Sequence, residues 1–219
     1  MPTFYDDAHA HYFTELFAPH DAVLQHIYDN IPKRGLPAIT IRPEEGRFLQ
    51  FLARACGARL AVEIGTLGGY SGVWIARGLL PGGRLITLEK EPHHAEVACE
   101  HFALAGLSDR VELRLGDAHE LLPTLSAEGP FDFCFIDAEK SGYDAYLNWA
   151  LANVRPGGVI AAHNAFRHGA IVDAKNEEPE TLAMRAFIRR WATEHRLLST
   201  LYPAGDGTLI GIVTFDAGF

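Results

Sequence analysis

The stretch Ala61-Val-Glu-Ile-Gly-Thr-Leu-Gly-Gly-Tyr-Ser71 decides the predicted fold. Its pattern predicts a buried strand that turns through glycines into a helix, because glycine reaches positive φ and lets a ligand approach without meeting a Cβ. A dinucleotide-binding turn would follow G-x-G-x-x-G, but Leu67 stands two places after Gly65, where that pattern requires glycine. The turn therefore suits a nucleoside without a pyrophosphate.

Strand and helix patterns alternate after this turn, and the alternation predicts the sheet. Strands are predicted near 60–64, 84–89, 111–115, 131–137 and 158–163, with helices near 71–80, 92–105, 118–125 and 143–152 between them. Repeated strand–helix units give a parallel sheet with right-handed crossovers. The fold class is therefore predicted to be α/β.

The end of the chain departs from this alternation. A predicted helix near 179–194 is followed by strands at 197–202 and 208–215, which the turn Gly205-Asp206-Gly207 joins. These two strands predict an antiparallel hairpin. We therefore expect a Rossmann-like, mostly parallel sheet of seven strands that ends in this hairpin.

The N-terminal part is predicted to be helical. Residues 3–31 carry apolar side chains, Phe4 and Tyr5 among them, at the spacing of two amphipathic helices, and Pro43 begins a third helix that runs to about Ala55. These helices are expected to cover the sheet or a partner subunit.

The domain organisation is predicted to be simple. No low-complexity stretch indicates a linker, so residues 1–219 are expected to form one domain. Within it, residues 1–42 form the N-terminal helices and a loop, and residues 43–219 form the core that carries the site.

Composition excludes several classes of protein. The chain has 19 Lys and Arg against 28 Asp and Glu, and this formal net charge of −9 argues against nucleic acid as the main partner. No signal peptide is evident, and no apolar run approaches the ~18 residues that a membrane span requires. Cys56, Cys99 and Cys134 lie far apart and form no C-x-x-C pair, which fits a reducing compartment. We therefore expect a cytoplasmic protein with no membrane partner.

Five successive predicted strands end in residues that can bind or react. These strand ends carry Glu63 to Gly69, Glu89, Asp117, Asp137 and the pair His163-Asn164. Open parallel sheets bind ligands in the crevice outside the carboxyl ends of their strands. Glu89 follows Gly65 by 24 residues, the position at which a carboxylate accepts both hydroxyls of a ribose. The pattern predicts one site at this edge of the sheet.

The pattern of these residues resembles that of a known family. Glu63, Gly65 and Gly69 match the first motif, E/D-x-G-x-x-x-G, of the class I S-adenosylmethionine-dependent methyltransferases. The closer resemblance, over nearly the whole chain, is to the metal-dependent O-methyltransferases of the catechol and caffeoyl-CoA type. The matching segments are Gly35-Leu-Pro-Ala38, Pro43-Glu-Glu-Gly46, Val62-Glu-Ile-Gly-Thr66, Gly69-Tyr-Ser71, Phe135-Ile-Asp-Ala-Glu-Lys140, Gly169 and Gly205-Asp-Gly207.

The resemblance implies a set of residues that bind S-adenosylmethionine. Glu63 would bind the methionine ammonium, Glu89 the ribose hydroxyls, and Asp117-Ala118 would border the adenine. The remaining implied cofactor-binding residues are Ile41, Gly65, Thr66, Gly69, Tyr70, Ser71 and Asp137.

The resemblance also implies a catalytic group beside a divalent metal. Asp137 would be a metal ligand as well as a neighbour of the cofactor, and Lys140 would be the general base. A cation beside a phenol lowers a pKa that is otherwise near ~10, and an ammonium near a divalent ion loses its proton more easily. The third metal ligand would be Asn164, next to His163.

His163 departs from the family, in which an aspartate precedes the asparagine ligand. An imidazole in place of a carboxylate favours zinc, iron, nickel or cobalt over magnesium or calcium. Three alternatives follow: an altered metal preference, a weak metal site, or a metal-free enzyme in which His163 is itself an acid or base.

The acceptor pocket is also expected to differ from that of the family. Arg167 and His168 stand near the position of the family's aromatic residue, and they are candidates to contact an acidic group of the substrate. The predicted function is methyl transfer to a hydroxyl of a small, aromatic, catechol-like molecule. The alternatives are a catalytically inactive cofactor sensor and, with less support because of Leu67, a nicotinamide-dependent dehydrogenase. The resemblance implies a homodimer.

Overall fold

The computed structural model describes residues 6–215. Phe4 and Tyr5, which belong to the first predicted helix, lie outside these residues. Within them the helices are α1 (Asp7–Phe17), α2 (Ala22–Lys33), α3 (Pro43–Ala55), α4 (Tyr70–Gly78), α5 (Pro92–Leu104), α6 (Ala118–Leu125), α7 (Tyr143–Asn153) and α8 (Pro179–Thr193). The strands are β1 (Leu60–Ile64), β2 (Arg84–Glu89), β3 (Val111–Leu115), β4 (Phe131–Ile136), β5 (Val154–Ala162), β6 (Leu197–Tyr202) and β7 (Thr208–Val213).

The seven strands form one sheet in the order β3-β2-β1-β4-β5-β7-β6. The first five are parallel, and β7 is antiparallel to both β5 and β6. This confirms the predicted mostly parallel sheet with its terminal hairpin. The strand order reverses between β1 and β4, and the carboxyl ends of these strands open a crevice there.

Helices cover both faces of the sheet, because the side chains of the central strands alternate between two cores. On β4, Phe133 and Phe135 pack with α2, α3, α4 and α5, whereas Cys134 and Ile136 pack with α6, α7 and α8. A strand that is apolar on both faces is typical of the centre of a parallel sheet. Within residues 6–215, no helix combines the length and apolar character that crossing a bilayer requires.

Strand β5 begins earlier than the predicted position near residue 158. Its pairing with β4 starts at Val154 opposite Phe131 and resumes at Val159 opposite Phe133, so the segment between them bulges. Gly157 has φ +76°, and a Cβ on Gly158 would lie 2.8 Å from the carbonyl oxygen of Asp132. The two glycines therefore allow a bulge inside the strand instead of ending it.

Candidate active site

A cavity of about 790 Å³ opens at the carboxyl ends of the parallel strands. The structure brings most of the predicted site residues together in its lining. These are Ile41, Gly65, Thr66, Tyr70, Ser71, Glu89, Asp117, Ala118, Asp137, Lys140, His163, Asn164, Arg167 and His168. Glu63 and Gly69 are predicted site residues that do not belong to the lining.

The turn between β1 and α4 requires glycine for two reasons. Gly65 has φ +96°, and a Cβ there would lie 2.1 Å from the carbonyl oxygen of Asp137. The ends of β1 and β4 therefore approach each other more closely than any side chain permits. Gly69 has φ +80° and is the N-cap of α4, so its contribution is to the backbone of the turn.

Glu63 lies beneath this turn and is fully buried. Its carboxylate accepts hydrogen bonds from Ser71 Oγ at 2.5 Å and from Thr87 Oγ1 at 2.7 Å. Burial raises the pKa of Glu63 to about 7, although both hydroxyls stabilise the charged form. Ser71 lies between Glu63 and the cavity, so the predicted contact with a methionine ammonium remains a prediction.

Glu89 faces the cavity at the end of β2. Its Oε2 accepts from the backbone N–H groups of Leu67 at 2.7 Å and Thr66 at 3.3 Å, and its Oε1 accepts from the N–H of Glu91 at 2.9 Å. The carboxylate thus fixes the glycine-rich turn. Next to it, Asp117 is the exposed N-cap of α6 and accepts from His119 N at 2.8 Å.

Lys140 follows β4 and is held beside Asp137. Its Nζ lies 3.4 Å from Asp137 Oδ1 and donates to the carbonyl oxygen of Ala138 and to the hydroxyl of Tyr143, both at 2.8 Å. Burial alone would raise the pKa of Asp137, but the nearby charges of His163 and Lys140 lower it to about 2. The carboxylate of Asp137 is therefore ionised at neutral pH.

His163 is held at both ring nitrogens. Its Nδ1 lies 3.2 Å from Asp137 Oδ2, and its Nε2 lies 2.8 Å from Glu45 Oε1. The side chain is only 6% exposed. Burial alone would lower the pKa of His163, but Asp137 and Glu45 raise it to about 10.

The loop after His163 forms one side of the cavity and has an unusual backbone. Asn164, Arg167 and His168 have φ values of 62°, 48° and 52°, which are uncommon for residues with a Cβ. Asp206 holds this loop, because it accepts from Asn164 Nδ2 at 2.9 Å and from the backbone N–H of His168 at 2.6 Å. Arg167 pairs with Glu180 at 2.9 Å.

The arrangement does not fit the divalent ion that the resemblance implies. A metal ligand must offer a free lone pair, yet both ring nitrogens of His163 face carboxylates. The two oxygens of Asp137 face His163 and Lys140 but keep further lone pairs, so the misfit lies in His163. Within residues 6–215, no three His, Cys, Asp or Glu side chains are grouped so that they could hold a metal ion.

Two site residues, Glu45 and Asp206, were missed by the sequence interpretation. Both lie in segments that match the family, Pro43-Glu-Glu-Gly46 and Gly205-Asp-Gly207, so those segments were the available signal. The roles of the two residues depend on partners far away in sequence. Glu45 contacts a histidine 118 residues later, and no local pattern indicates such a pair.

Comparisons with known proteins show the family to which the chain belongs. The model of a family described as O-methyltransferase matches residues 14–212. A catechol O-methyltransferase of Niastella koreensis is 44% identical over 179 residues, 81% of each chain. One of Mycobacterium tuberculosis is 48% identical over 150 residues, 68% of this chain and 67% of the relative. The solved O-methyltransferase of Bacillus cereus in complex with SAH superposes with a TM-score of 0.88 at 39% identity, covering 94% of this chain and 97% of that one. The chain belongs to the O-methyltransferase family and has its fold.

Proposed function

We propose that this protein transfers the methyl group of S-adenosylmethionine to a hydroxyl of a small aromatic molecule of the catechol type. One observation carries the proposal: a single cavity joins the glycine-rich turn and Glu89 to the cluster of Lys140, Asp137 and His163. The first group suits a nucleoside, and the second suits a reacting hydroxyl. Relatives named catechol O-methyltransferase support the acceptor class.

The proposed roles divide along the sheet. Glu89, Asp117 and Ala118, at the ends of β2 and β3, hold the ribose and the adenine. Ile41 and the turn, Gly65 to Ser71, surround the methionine part of the cofactor. Glu63 acts on it through Ser71, to which it is hydrogen-bonded.

Lys140 is the proposed general base for the acceptor hydroxyl, after its own ammonium has released a proton to solvent. The methyl group moves in line from the sulfonium to the acceptor oxygen. The oxygen must therefore be aligned with the methyl group and must lose its proton. Lys140 Nζ is on the cavity wall with its carboxylate neighbour Asp137. Arg167 and His168, on the same side, are the proposed contacts for an acidic substituent of the acceptor.

A divalent ion held by Asp137, His163 and Asn164 remains the alternative form of this mechanism. It would place a Lewis acid beside the acceptor oxygen. The contacts of His163 support the metal-free form instead, and chelation separates the two. Activity that disappears with EDTA and returns with a transition ion supports the metal.

Turnover of a panel of catechols and simpler phenols with S-adenosylmethionine tests the function. We expect a methylated product and S-adenosylhomocysteine in equal amounts. Lys140→Met is expected to lower kcat by about 10²- to 10⁴-fold with unchanged cofactor affinity, since it removes only the base. The matched control is Lys175→Met, which alters an exposed lysine outside the cavity lining. Cofactor binding without turnover of any acceptor would favour a sensor.

The proposal includes three statements about the whole protein. Residues 1–219 act as one domain, with 1–42 as N-terminal helices and 43–219 as the core. Two copies form a homodimer. The protein works in the cytoplasm, and the support for this is that Cys56, Cys99 and Cys134 are free thiols.

A further inference from the structure

The contacts of His163 occupy both of its ring nitrogens. A neutral imidazole carries one N–H, so it can donate to one carboxylate and would turn a lone pair toward the other. His163 has carboxylate oxygens at 2.8 Å on Nε2 and at 3.2 Å on Nδ1. With both carboxylates ionised, both contacts are attractive only when each ring nitrogen carries a hydrogen, so neither nitrogen offers a lone pair to a metal ion.

Glu45 is fixed so that it can hold this ring. It stands in the first turn of α3, where its Oε2 accepts from the backbone N–H of Arg42 at 2.9 Å. Its Oε1 meets His163, and the side chain is 3% exposed. A Cβ on Gly205 would lie 2.1 Å from the Glu45 carboxyl carbon, so the β6–β7 turn closes over it. Each oxygen of Glu45 has a partner, and its carboxylate is enclosed.

The ring lies among the residues that the resemblance implies as metal ligands. His163 follows β5 and contacts Asp137 after β4, and both side chains line the cavity beside Lys140. The imidazole ring of His163 already lies between the carboxylates of Glu45 and Asp137. A divalent ion would have to displace the ring from at least one of them.

We propose that Glu45, His163 and Asp137 form a triad that takes the place of the divalent ion, with Glu45 as the positioning residue that holds the His163 ring. The charge of the ring offsets that of Asp137 beside the acceptor oxygen. Lys140 accepts the proton of the acceptor hydroxyl. This inference rests on the proposed methyl transfer for its role in the reaction. Its structural content is that the wild-type site binds no divalent ion.

Metal binding gives the first test. Wild-type protein from which a chelator has removed metal ions is titrated with Mn²⁺, Mg²⁺ and Zn²⁺ up to about 1 mM. Binding is detected by calorimetry and, for Mn²⁺, also by electron paramagnetic resonance. We expect no saturable binding to wild type and new Mn²⁺ binding to His163→Asp, which restores an all-oxygen donor set. Saturable one-to-one binding to wild type that Asp137→Asn abolishes would overturn the proposal.

The protonation of the ring gives the second test. Nitrogen-15 NMR of labelled protein at neutral pH is expected to show two slowly exchanging imidazole N–H groups, both absent from His163→Asn. Nitrogen shifts of a neutral ring for His163 would contradict the triad. These measurements need no methyl acceptor, so they decide the triad even if no acceptor is turned over.

The positioning role of Glu45 is tested with Glu45→Gln. The amide keeps the shape of the side chain but removes the charge opposite Nε2. We expect kcat to fall about 10- to 100-fold, KM for the cofactor to stay constant, and the Nε2–H signal to move. Glu44→Gln is the matched control, because Glu44 accepts from Thr14 Oγ1 at 3.0 Å on the same helical turn and does not contact His163. Equal kcat for wild type and Glu45→Gln would remove Glu45 from the mechanism.

Discussion

Two carboxylates at the ends of neighbouring strands, Glu63 and Glu89, have opposite environments. Glu63 is fully buried beneath the glycine-rich turn and accepts from two hydroxyls, whereas Glu89 faces the cavity and accepts from backbone N–H groups. The first carboxylate is costly to ionise, whereas the second fixes the glycine-rich turn through its backbone contacts. Their substitutions therefore have different expected effects.

For Glu63 we predict a pH-dependent cost to stability. Its folded-state pKa of about 7 lies above the ordinary value of 4.5, so the folded state holds a proton that the unfolded chain has released between these values. The stabilising contribution is full below the unfolded pKa and is lost as pH rises through the folded pKa. Between pH 5 and pH 8 the free energy of unfolding of wild type, without cofactor, should fall by about 2 to 3 kcal/mol more than that of Glu63→Gln.

Urea denaturation of both proteins at the two pH values measures this difference. Other titrating groups are common to wild type and variant, so their contributions cancel in the comparison. Glu96→Gln is the control, because Glu96 is an acid with a 67% exposed side chain on α5. Parallel pH dependences of wild type and Glu63→Gln would mean that the pKa of Glu63 is ordinary.

For Glu89 we predict a loss of cofactor affinity. Glu89→Gln keeps an acceptor oxygen for the N–H groups of the turn but weakens the hydrogen bonds that a carboxylate makes to ribose hydroxyls. Calorimetry should show S-adenosylmethionine binding weakened by about 1.5 to 3 kcal/mol, or about 10- to 150-fold. An unchanged dissociation constant would refute the ribose assignment, and Glu96→Gln again provides the control.

From the sequence, the positions of the site residues are predicted better than the contacts between those residues. Strand ends placed Glu89, Asp117, Asp137 and His163 on one cavity because parallel strands end at one edge of a sheet. The partner of His163 was not predictable in this way, since Glu45 comes from a helix that precedes the whole sheet. Pairs of this kind depend on how a distant element packs.

At the scale of elements, the turn from β1 to α4 depends on Gly65. We predict that Gly65→Ala destabilises the fold by about 1 to 3 kcal/mol more than Gly82→Ala. Both glycines have positive φ, +96° and +75°, so both substitutions introduce backbone strain of about 1 to 2 kcal/mol. Only at Gly65 does the new Cβ also meet the carbonyl oxygen of Asp137, because nothing lies within 4 Å at Gly82.

Urea denaturation and calorimetry check this pair of variants. Gly65→Ala should also lose cofactor affinity, since β1 and β4 must separate to make room for the alanine side chain. Gly82→Ala should bind the cofactor like wild type. Equal stabilities of the two variants would show that the approach of β1 and β4 is not tight.

The elements themselves follow from local physics where periodicity is strong. Strands β1 to β4 and the helices between them have the predicted order and nearly the predicted bounds. The start of β5 was misplaced because two glycines usually end a strand, whereas here Arg155 anchors the segment before them. Its Nε donates to Asp132 Oδ1 of β4 at 2.5 Å. A long-range ion pair thus extends β5 beyond the start that the two glycines predict.

At the scale of the whole molecule, exposed apolar side chains concentrate on one stripe of α1. Tyr12, Phe13, Leu16 and Phe17 are 59%, 42%, 58% and 66% exposed. Positions three and four residues apart lie side by side on a helix, as Phe13 does with Leu16 and with Phe17, so these side chains form a continuous surface. Contiguous exposed apolar surface commonly marks a protein interface, which supports the proposed homodimer.

We therefore predict that wild type is a dimer of about 48 kDa, twice the 24.1 kDa chain, in light scattering at micromolar concentration. The double substitution Leu16→Glu and Phe17→Glu places two charges on the α1 stripe and should give a monomer, because a desolvated unpaired carboxylate costs more than the apolar contact it replaces. The matched control is Leu104→Glu at the end of α5, where the leucine is 50% exposed away from the stripe and the dimer should persist. A wild-type mass of 24.1 kDa would exclude the dimer, and a double variant that stays dimeric would place the interface elsewhere than on α1.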